Sequence, residues 1–410
     1  MQNIKAGLLG RKLGHSYSKI IHAFLADYSY EMFEREENDV EDFITNGPFD
    51  AINVTVPYKK TVIPYLDELS DIAKRLGAVN TVMRGENGTL YGDNTDFYGF
   101  SYMLDMAKID VSGKKVLVLG AGGASATVCA VLSERKASDI TVLGSKDNTP
   151  ENIRRCKDAE IIVNATPVGM YPNNEDSPID LADFESCEGV LDLIYNPART
   201  TLVCEAQKRN IKFAGGLSML VAQAKRACEI FTGTEIEDSK IPEIIEKIEK
   251  MQENIVLVGM PGCGKSTLGK LVSERLGREL VDTDCEIVRL AGKEIPKIFA
   301  EDGENVFRDL ETKAINEVGK RSGMVIATGG GAVKRAENYL PLHRNSKIVF
   351  LDRAINSLDT SGRPLSQRDG VEKLYRERIA LYRAFADVTV EVCDDIEKTY
   401  KRFIEALEIK

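Results

Sequence analysis

The chain has 410 residues, of which 43% are hydrophobic and 29% are charged, and its formal net charge is −10. This length exceeds what one hydrophobic core usually supports, so we expect two or three domains. The composition is close to the average of globular proteins, which argues against a disordered chain. The net negative charge argues against a general binder of nucleic acid or of anionic membranes, but it is compatible with a local basic pocket.

The N-terminal segment, MQNIKAGLLGRKLGHS, has no long apolar stretch and no small-residue cleavage pattern, and we interpret residues 4–9 as a first strand. No window approaches the roughly 18 apolar residues that a membrane span needs. The eight cysteines form no C-x-x-C pair, and the three histidines, His15, His22 and His343, lack the spacing of a zinc site. These features predict buried free thiols in a cytoplasmic protein.

Short apolar runs alternate with segments of helical periodicity throughout, which is typical of α/β architecture with mostly parallel sheets. Such runs lie at residues 115–119, 140–143, 161–163, 255–258 and 348–351. A charged helical segment, residues 241–251, leads into one of these runs and indicates a domain boundary near residues 240–254.

A glycine-rich turn lies between the strand predicted at residues 116–119 and a helical stretch. Its first residues are Gly120, Ala121, Gly122, Gly123 and Ala124. Such a turn directs backbone N–H groups and a helix N-terminus at a pyrophosphate, which predicts a dinucleotide-binding Rossmann domain; a plain tight turn is the alternative. After the next strand stand Ser145 and Lys146 rather than an acid. A hydroxyl and an ammonium suit the 2′-phosphate of NADP(H), and a solvated loop lysine is the alternative.

Several short motifs around this turn offer hydroxyls, amides, one lysine and one carboxylate, which suit a polyhydroxylated carboxylic acid. They are HSYS at residues 15–18, NVTVPYK at 53–59, GAVNT at 77–81, GDNTD at 92–96, NATPVGM at 164–170 and GLSMLVAQA at 216–224. The second motif predicts a strand that stops at Pro57. Together with the glycine turn, these motifs resemble those of the shikimate dehydrogenases over residues 1 to about 248.

The resemblance implies a substrate-binding domain of residues 1–105 and 216–245 around a Rossmann NADP domain of residues 106–215. It implies Lys59 and Asp96 as the catalytic pair, with the lysine protonating the ketone oxygen and the aspartate orienting the lysine. It places the substrate at these two residues and at Ser16, Ser18, Thr55, Asn80, Tyr195 and Gln223, and the cofactor at the glycine turn, Ser145, Lys146 and Gly216. This chain departs from the family pattern at two places. Tyr17-Ser18-Lys19 changes the first motif, and Gly144-Ser145-Lys146 stands where relatives carry an arginine that binds the 2′-phosphate.

A second glycine-rich turn, residues 259–266, fits G-x-x-x-x-G-K-[ST] between an apolar run and a predicted helix. Its N–H groups are expected to hold the phosphates of ATP, with Lys265 at the β and γ oxygens and Ser266 on Mg²⁺. The expected nucleotide contacts are Gly262, Cys263, Gly264, Lys265, Ser266 and Thr267.

Downstream motifs follow in the order D-x-D at residues 282–284, G-E-x-x-F-R-x-x-E at 303–311, G-G-G at 329–331, R-P-L at 363–365 and R-x-x-x-Y at 378–382. With the glycine turn they resemble shikimate kinases across residues 254–410, after a linker at 246–253. That family has a parallel-sheet P-loop fold like that of the nucleoside monophosphate kinases. The resemblance implies that shikimate is bound by Asp284, Arg308, Gly330 and Arg378, with Asp284 also taking the proton of the attacking hydroxyl. It further implies Asp282 in the Mg²⁺ shell and Arg363 as the catalytic lid arginine over ATP, although the lid lacks the arginine that many relatives carry near Leu358.

The sequence thus predicts a bifunctional enzyme of the shikimate pathway. It would reduce 3-dehydroshikimate with NADPH and phosphorylate the resulting shikimate with ATP and Mg²⁺. An alternative is a quinate/shikimate dehydrogenase joined to a kinase of another small polyol acid, because one extra hydroxyl is hard to exclude. A non-catalytic sensor is disfavoured because the catalytic positions are all present. The expected partners are small molecules, with no nucleic acid and no membrane, and the oligomeric state stays open.

Overall fold

The computed structural model describes residues 4–14, 16–174, 176–358 and 370–409. The chain forms two compact units, Met1–Ile248 and Glu249–Lys410. Within the described residues the first unit contains two sheets and the second contains one. The prediction of an α/β fold built on mostly parallel sheets is confirmed.

The first sheet has six strands, in the order β2-β1-β3-β5-β6-β4. The strands are β1 (Lys5–Gly10), β2 (Ser29–Glu34), β3 (Ala51–Val54), β4 (Glu68–Leu69), β5 (Thr81–Arg84) and β6 (Leu90–Asp93). The accompanying helices are α1 (Ser18–Leu25), α2 (Val40–Asn46), α3 (Asp71–Leu76) and α4 (Asp96–Ala107). Strand β5 runs antiparallel to β3 and β6, whereas β1 runs parallel to both of its neighbours. The carboxyl ends of β1 and β3 therefore lie side by side, and the polar motifs follow them.

The second sheet is parallel throughout, in the order β11-β10-β9-β7-β8. Its strands are β7 (Lys115–Leu119), β8 (Asp139–Leu143), β9 (Ile161–Asn164), β10 (Gly189–Asp192) and β11 (Lys212–Gly215). The helices that follow are α5 (Gly123–Glu134), α6 (Pro150–Arg155), α7 (Thr201–Lys208), α8 (Leu217–Thr232) and α9 (Lys240–Gln252). The central strands β7, β9 and β10 are buried almost throughout, as expected of strands covered by helices on both faces.

The boundary between the two units falls within helix α9, after Ile248. Ile241, Ile244 and Ile248 lie three and four residues apart, so they share one face, and all three are buried against α1 and α8 residues. Residues 246–253, predicted to link the domains, thus contain the last turns of this helix, and Ile248 belongs to the core of the first unit.

The third sheet, in the second unit, is also parallel and has the order β13-β14-β12-β15-β16. Its strands are β12 (Asn254–Val258), β13 (Leu280–Asp282), β14 (Val325–Ala327), β15 (Ser346–Asp352) and β16 (Val388–Glu391). Its helices, within the described residues, are α10 (Lys265–Leu276), α11 (Thr283–Ala291), α12 (Ile295–Glu301), α13 (Gly303–Gly319), α14 (Tyr339–His343), α15 (Val371–Phe385) and α16 (Ile396–Ala406). The central strand β12 is wholly buried and leads into the second glycine turn.

None of the helices formed by the described residues combines the length and the apolar character needed to cross a lipid bilayer. All eight cysteines are free thiols. The prediction that they are buried is correct for Cys187, Cys204, Cys228 and Cys263 but wrong for Cys285, which is exposed on α11.

Candidate active sites

The first unit contains a cavity of about 420 Å³. Its lining includes every side chain predicted to hold the first substrate: Ser16, Ser18, Thr55, Lys59, Asn80, Asp96, Tyr195 and Gln223. Ala124 of the first glycine turn and Gly216, both predicted for the cofactor, line the same cavity. The fold therefore brings residues from widely separated motifs to one place.

Lys59 and Asp96 form an ion pair in this cavity, with 2.5 Å between the lysine Nζ and the carboxylate Oδ2. The two side chains are 20% and 11% exposed, so the pair is largely shielded and still open to a ligand. Asp96 is the first residue of α4, where the helix dipole favours a negative charge. The segment that carries Lys59 is anchored by the buried Tyr58, whose hydroxyl donates to the carbonyl of Arg35 at 2.5 Å.

Asn80 fixes the other side of the Asp96 carboxylate. Its Nδ2 donates to Asp96 Oδ1 at 2.9 Å and its Oδ1 accepts from the backbone N–H of Thr95 at 2.7 Å. These residues are buried, so the bonds form away from bulk water and lock the start of α4 onto the β5 end of the sheet. Both oxygens of the Asp96 carboxylate thus have a fixed donor.

A second buried layer lies beneath Asn80 and includes residues that the sequence analysis did not single out. The Tyr30 hydroxyl donates to Asn53 Oδ1 at 2.8 Å, and Asn53 Nδ2 donates to the Asn80 carbonyl at 3.4 Å. Asn53 lines the cavity and is only 4% exposed. Its presence in the motif at residues 53–59 was the available signal, whereas nothing in the sequence pointed to Tyr30 on β2.

Close packing of α4 on α8 places Gln223 beside this network. A Cβ atom on Gly99 would lie 2.6 Å from the carbonyl oxygen of Met219, so only glycine permits the observed approach of the two helices. Gln223 Oε1 then accepts from Asn80 Nδ2 at 3.4 Å. The glycine in the first turns of α4 is therefore a part of the site that spacing alone did not indicate.

The two predicted serines contact each other at the start of α1, with 3.0 Å between Ser16 Oγ and Ser18 Oγ. Between them, the ring of Tyr17 lies 5.2 Å from that of Tyr195. Burial raises the pKa of Tyr17 to about 12 and also raises that of Tyr195, so both phenols are neutral donors at neutral pH. The departure at Tyr17 thus packs its ring against that of Tyr195, although Tyr17 itself is absent from the cavity lining.

The first glycine turn has the geometry of an open phosphate cradle. Gly120 has φ of 107°, and a Cβ there would lie 2.8 Å from the Ala165 carbonyl oxygen, so the position requires glycine. By contrast, no described atom lies within 4 Å of a Cβ placed on Gly122 or Gly123, where α5 begins. A dinucleotide pyrophosphate fits this open helix N-terminus. Ser145 and Lys146 are exposed after β8 and lie outside the lining of the substrate cavity.

The second unit contains a cavity of about 660 Å³. The predicted residues that line it are Gly262, Gly264, Lys265, Ser266, Thr267, Asp282, Asp284, Arg308, Gly330 and Arg378. Cys263 is fully buried behind the loop and is absent from the lining. Arg363 lies outside the described residues. The cavity also has walls that were not predicted, among them Pro296 and Phe299 of α12, Thr328 and Arg353.

The phosphate loop holds its lysine and its hydroxyl in fixed positions. Lys265 Nζ donates to the carbonyls of Gly259 and Met260 at 2.9 and 3.0 Å, so the loop supports this cation from within. Ser266 Oγ donates to Asp282 Oδ2 at 3.2 Å, which places two hard oxygen ligands together. Such a pair suits Mg²⁺, which takes few protein oxygens and completes its shell with phosphates and water. Among the described residues no cluster of three or more His, Cys, Asp or Glu side chains could hold a metal ion.

Arg308 and Glu311 form a buried ion pair in this cavity, with 2.6 Å between Nη1 and Oε2. Their side chains are 6% and 1% exposed. Arg308 Nη2 also contacts Glu304 Oε1 at 3.3 Å. Burial raises the pKa of Glu311 although the arginine opposes that shift. The sequence allowed a surface salt bridge of Arg308 with Glu304 or Glu311, and the structure shows that the pair with Glu311 is buried.

The triple glycine is held by α15. Arg378 Nη1 and the Tyr382 hydroxyl donate to the Gly330 carbonyl at 3.0 and 2.5 Å. A Cβ on Gly329 would lie 2.6 Å from Asp284 Oδ1, and a Cβ on Gly331 would overlap the Arg308 guanidinium. Small residues here therefore let the two predicted acceptor-binding arginines and Asp284 converge on one end of the cavity.

Comparison with known proteins assigns both units. Residues 8–82 match the family described as "Shikimate dehydrogenase substrate binding domain", and residues 261–408 match the family described as "Shikimate kinase". The shikimate dehydrogenase (NADP(+)) of Clostridium perfringens strain SM101 is 37% identical over an aligned length of 268 residues, and the match covers 59% of this chain and 97% of that protein. This chain belongs to the shikimate dehydrogenase family.

Solved structures of shikimate dehydrogenases agree with this membership. Shikimate dehydrogenase 1 from Peptoclostridium difficile has a TM-score of 0.55 and 36% identity, covering 60% of this chain and 97% of that one. A chorismate mutase/shikimate 5-dehydrogenase fusion protein from Clostridium acetobutylicum has a TM-score of 0.56 and 32% identity, covering 61% of this chain and 98% of that one.

The shikimate dehydrogenase part is followed in the same chain by a shikimate kinase domain. The prediction of a bifunctional enzyme of the shikimate pathway, an oxidoreductase joined to a kinase, is therefore confirmed, and the quinate alternative is not favoured. The match to relatives named for NADP(+) supports NADP as the dinucleotide of the first unit.

Proposed function

We propose that the first unit reduces 3-dehydroshikimate to shikimate with NADPH and that the second unit phosphorylates shikimate to shikimate 3-phosphate with ATP and Mg²⁺. One observation carries the proposal. The Lys59–Asp96 pair in one cavity and the P-loop with Arg308 and Arg378 in the other provide what each reaction requires of the protein. The assignment of individual residues, and the division of the first unit into domains of residues 1–105 with 216–245 and of 106–215, belong to the same proposal.

In the dehydrogenase cavity, bound NADPH would supply a hydride to the ketone carbon. Lys59 would then deliver a proton to the ketone oxygen, because its Nζ is the cation that faces the cavity beside Asp96. Asp96 would keep the lysine in place and accept a hydrogen bond from a ring hydroxyl. Ser16, Ser18 and Tyr195 provide hydroxyls for the substrate carboxylate, and Thr55, Asn80 and Gln223 provide groups for the ring hydroxyls.

The cofactor is proposed to lie along Gly120 to Ala124, with its pyrophosphate at the N-terminus of α5. Ser145 and Lys146 are proposed to receive the 2′-phosphate of NADP, because they are exposed at the end of β8 and no acid occupies their positions. Gly216, next to the substrate residues, is proposed to lie near the nicotinamide end.

In the kinase cavity, the loop from Gly262 to Thr267 would hold the phosphates of ATP, and Ser266 with Asp282 would hold Mg²⁺. Arg308 and Arg378 would bind the shikimate carboxylate, each already oriented by a bond of its own. Asp284 lies beside Gly329 at the same end of the cavity and would take the proton of the attacking hydroxyl. Lys265 would stabilise the charge on the transferring phosphoryl group, and Arg363 is proposed to close over it from the lid.

We also propose a cytoplasmic location. The support is chemical: NADPH, ATP and eight free thiols all belong to a reducing compartment. Small-molecule substrates are the proposed partners.

A coupled assay tests the proposal. The full chain is incubated with 3-dehydroshikimate, ATP and Mg²⁺, once with NADPH and once with NADH. Nicotinamide oxidation is followed by absorbance and shikimate 3-phosphate by mass spectrometry. We expect faster oxidation with NADPH and formation of the phosphorylated product only when ATP is present. Absence of NADPH oxidation would refute the first half, and accumulation of unphosphorylated shikimate would refute the second.

A further inference from the structure

Lys12 lines the dehydrogenase cavity but belongs to none of the motifs that identify the dehydrogenase. It lies between the end of β1 and the start of α1. Ser16 and Ser18, which follow it on the same segment, line the same cavity. Lys12 is therefore part of the wall that carries the hydroxyls proposed for the substrate carboxylate.

Hydrogen bonds hold the backbone next to Lys12 in place. Leu13 N–H donates to Glu34 Oε1 at 2.7 Å, and Ser16 N–H donates to the Leu13 carbonyl at 2.9 Å. The second bond closes a β-turn, which brings its first and last residues within about 7 Å of each other. The lysine that precedes this turn is thus near the serine that ends it.

Charge distinguishes Lys12 from the rest of the cavity wall. Among the described residues of the lining, the charged ones are Lys12, Lys59 and Asp96. Lys59 and Asp96 pair with each other at 2.5 Å, so their charges largely cancel. Lys12 therefore gives the cavity a net positive charge, opposite to that of a monocarboxylate ligand.

The ammonium of Lys12 is available to such a ligand. Lys12 is exposed, and it forms no side-chain ion pair or hydrogen bond within the part of the chain that the structure describes. The adjacent Arg11, by contrast, contacts Glu36 and Glu37 at 3.5 and 3.4 Å and lies outside the cavity lining. Of these two neighbouring cations, only Lys12 combines a place in the wall with an unpaired charge.

A carboxylate in this cavity would otherwise be held by hydroxyls alone, those of Ser16, Ser18 and Tyr195. Moving an ionised carboxylate out of water is costly unless a cation or several donors compensate it. Hydrogen bonds between two ionised groups are stronger than those between neutral ones. Because a lysine has three donors on a flexible stem, it can reach one carboxylate oxygen while the hydroxyls keep the other.

We propose that Lys12 forms an ion pair with the carboxylate of shikimate and of 3-dehydroshikimate and selects for ligands that carry this charge. The proposal rests on the proposed dehydrogenase function of the first unit. It adds a cation to a carboxylate site that otherwise consists of hydroxyls, and it gives Lys12 no part in hydride or proton transfer.

Steady-state oxidation of shikimate by NADP⁺ tests the proposal on the full chain without ATP. This reaction reports on the dehydrogenase site alone, although the kinase unit also binds shikimate. Lys12→Gln should raise KM for shikimate about fivefold, the upper end of the range for an ion pair that is open to solvent, and should leave kcat and KM for NADP⁺ within about twofold. Lys12→Arg keeps the charge and should restore KM to near the wild-type value, whereas Lys12→Glu should raise it further.

A ligand without the charge separates an ion pair from a packing effect. Methyl shikimate, a neutral ester, is measured as a competitor of shikimate in wild type and in Lys12→Gln. Its inhibition constant should stay within about twofold, because the ester offers the lysine no negative charge. Added salt should raise KM for shikimate in the wild type and have less effect in Lys12→Gln, since salt screens exposed charges.

Lys19→Gln is the matched control. Lys19 is exposed in the first turn of α1, directly after Ser18, and is absent from the cavity lining. Its substitution removes the same charge close to the same serine, so it should leave KM for shikimate unchanged. An equal rise in KM for Lys12→Gln and Lys19→Gln would reduce the effect to general surface charge and overturn the proposal.

An unchanged KM for shikimate in both Lys12→Gln and Lys12→Glu would overturn the proposal and leave Lys12 as a solvated lysine. A rise in KM for NADP⁺ in place of that for shikimate would also overturn it and place the lysine at the cofactor. Wild-type protein that oxidises no shikimate would refute the proposed dehydrogenase function and this inference with it. That outcome is distinct from the others because it needs no substitution.

Discussion

Lys59 Nζ lies 2.5 Å from Asp96 Oδ2, and the other oxygen of the same carboxylate accepts from Asn80 Nδ2 at 2.9 Å. The lysine therefore faces the cavity in one orientation, set by a carboxylate that is itself fixed at a helix N-terminus. An ammonium in this position can donate a proton without first searching for its geometry, which is the condition for efficient general-acid catalysis.

Lys59→Ala should lower dehydroshikimate reduction by about 10² to 10⁴, the range typical of a lost general acid. The kinase reaction of the same protein should proceed at the wild-type rate, because Lys59 belongs to the first unit and the P-loop to the second. Steady-state assays of NADPH oxidation and of shikimate-dependent ADP formation measure the two activities. If the variant loses both, the units do not act independently.

Gly99→Ala should impair the dehydrogenase although Gly99 lies outside the cavity lining. The added methyl would lie 2.6 Å from the Met219 carbonyl oxygen and 3.0 Å from Gln223 Cβ, so α8 must move away from α4. We expect a rise in KM for shikimate of about tenfold, because about 1.4 kcal/mol of substrate binding is lost when Gln223 shifts. Ser101→Ala on the same helix is the control and should leave KM unchanged. A wild-type KM in Gly99→Ala would show that the helix pair does not position Gln223.

Much of each site was accessible from the sequence because its side chains lie in short motifs at strand ends. Ser16 and Lys59 come from the motifs that follow β1 and β3, and the parallel arrangement of these two strands brings both motifs to the same edge of the sheet. The fold class followed from the alternation of apolar runs and helical segments. What spacing could not provide was the packing between elements that are distant in the chain.

Tyr30 illustrates the limit. It contacts Asn53 only because β2 and β3 flank β1 in the sheet, and no local pattern encodes that contact. The motif at residues 53–59 was also predicted as a strand up to Pro57, whereas β3 ends at Val54. The backbone turns there because Tyr58 N–H bonds to the Thr55 carbonyl, and this turn is what points Lys59 into the cavity.

Glu311→Gln should raise KM for shikimate in the kinase reaction by about tenfold and leave KM for ATP near the wild-type value. The substitution removes the charge that orients the buried Arg308, and breaking a buried pair from one side costs about 3–5 kcal/mol of stability. Kinetics at several shikimate concentrations, with thermal unfolding in parallel, measure both effects. Glu304→Gln is the control, because Glu304 is 30% exposed and its substitution should have a smaller effect. Equal effects of the two variants would contradict a special role for Glu311.

Asp192 joins the loops that follow β9 and β10 in the first unit. Its Oδ1 accepts from Asn164 Nδ2 at 3.0 Å and from the Ile194 N–H at 3.1 Å, and its Oδ2 accepts from the Thr200 hydroxyl at 2.6 Å. The residue is fully buried, and burial raises its pKa to about 6 in spite of these three donors. Tyr195 and Leu193 of the substrate cavity lie on the loop that this carboxylate holds.

The stability of the first unit should therefore fall as the pH rises from about 4 to about 6. Asp192 binds a proton more tightly in the folded state than in the unfolded chain, where its pKa is about 3.9, so its stabilising contribution is complete below pH 4 and is lost as the pH passes about 6. The loss should total about 3 kcal/mol. Urea-dependent hydrogen exchange of peptides from β9 and β10, recorded across this range, measures it. In Asp192→Asn, the free energy of unfolding should lose about 3 kcal/mol less over the same pH range than in the wild type. An equal loss in the variant would mean that the pH dependence comes from other groups.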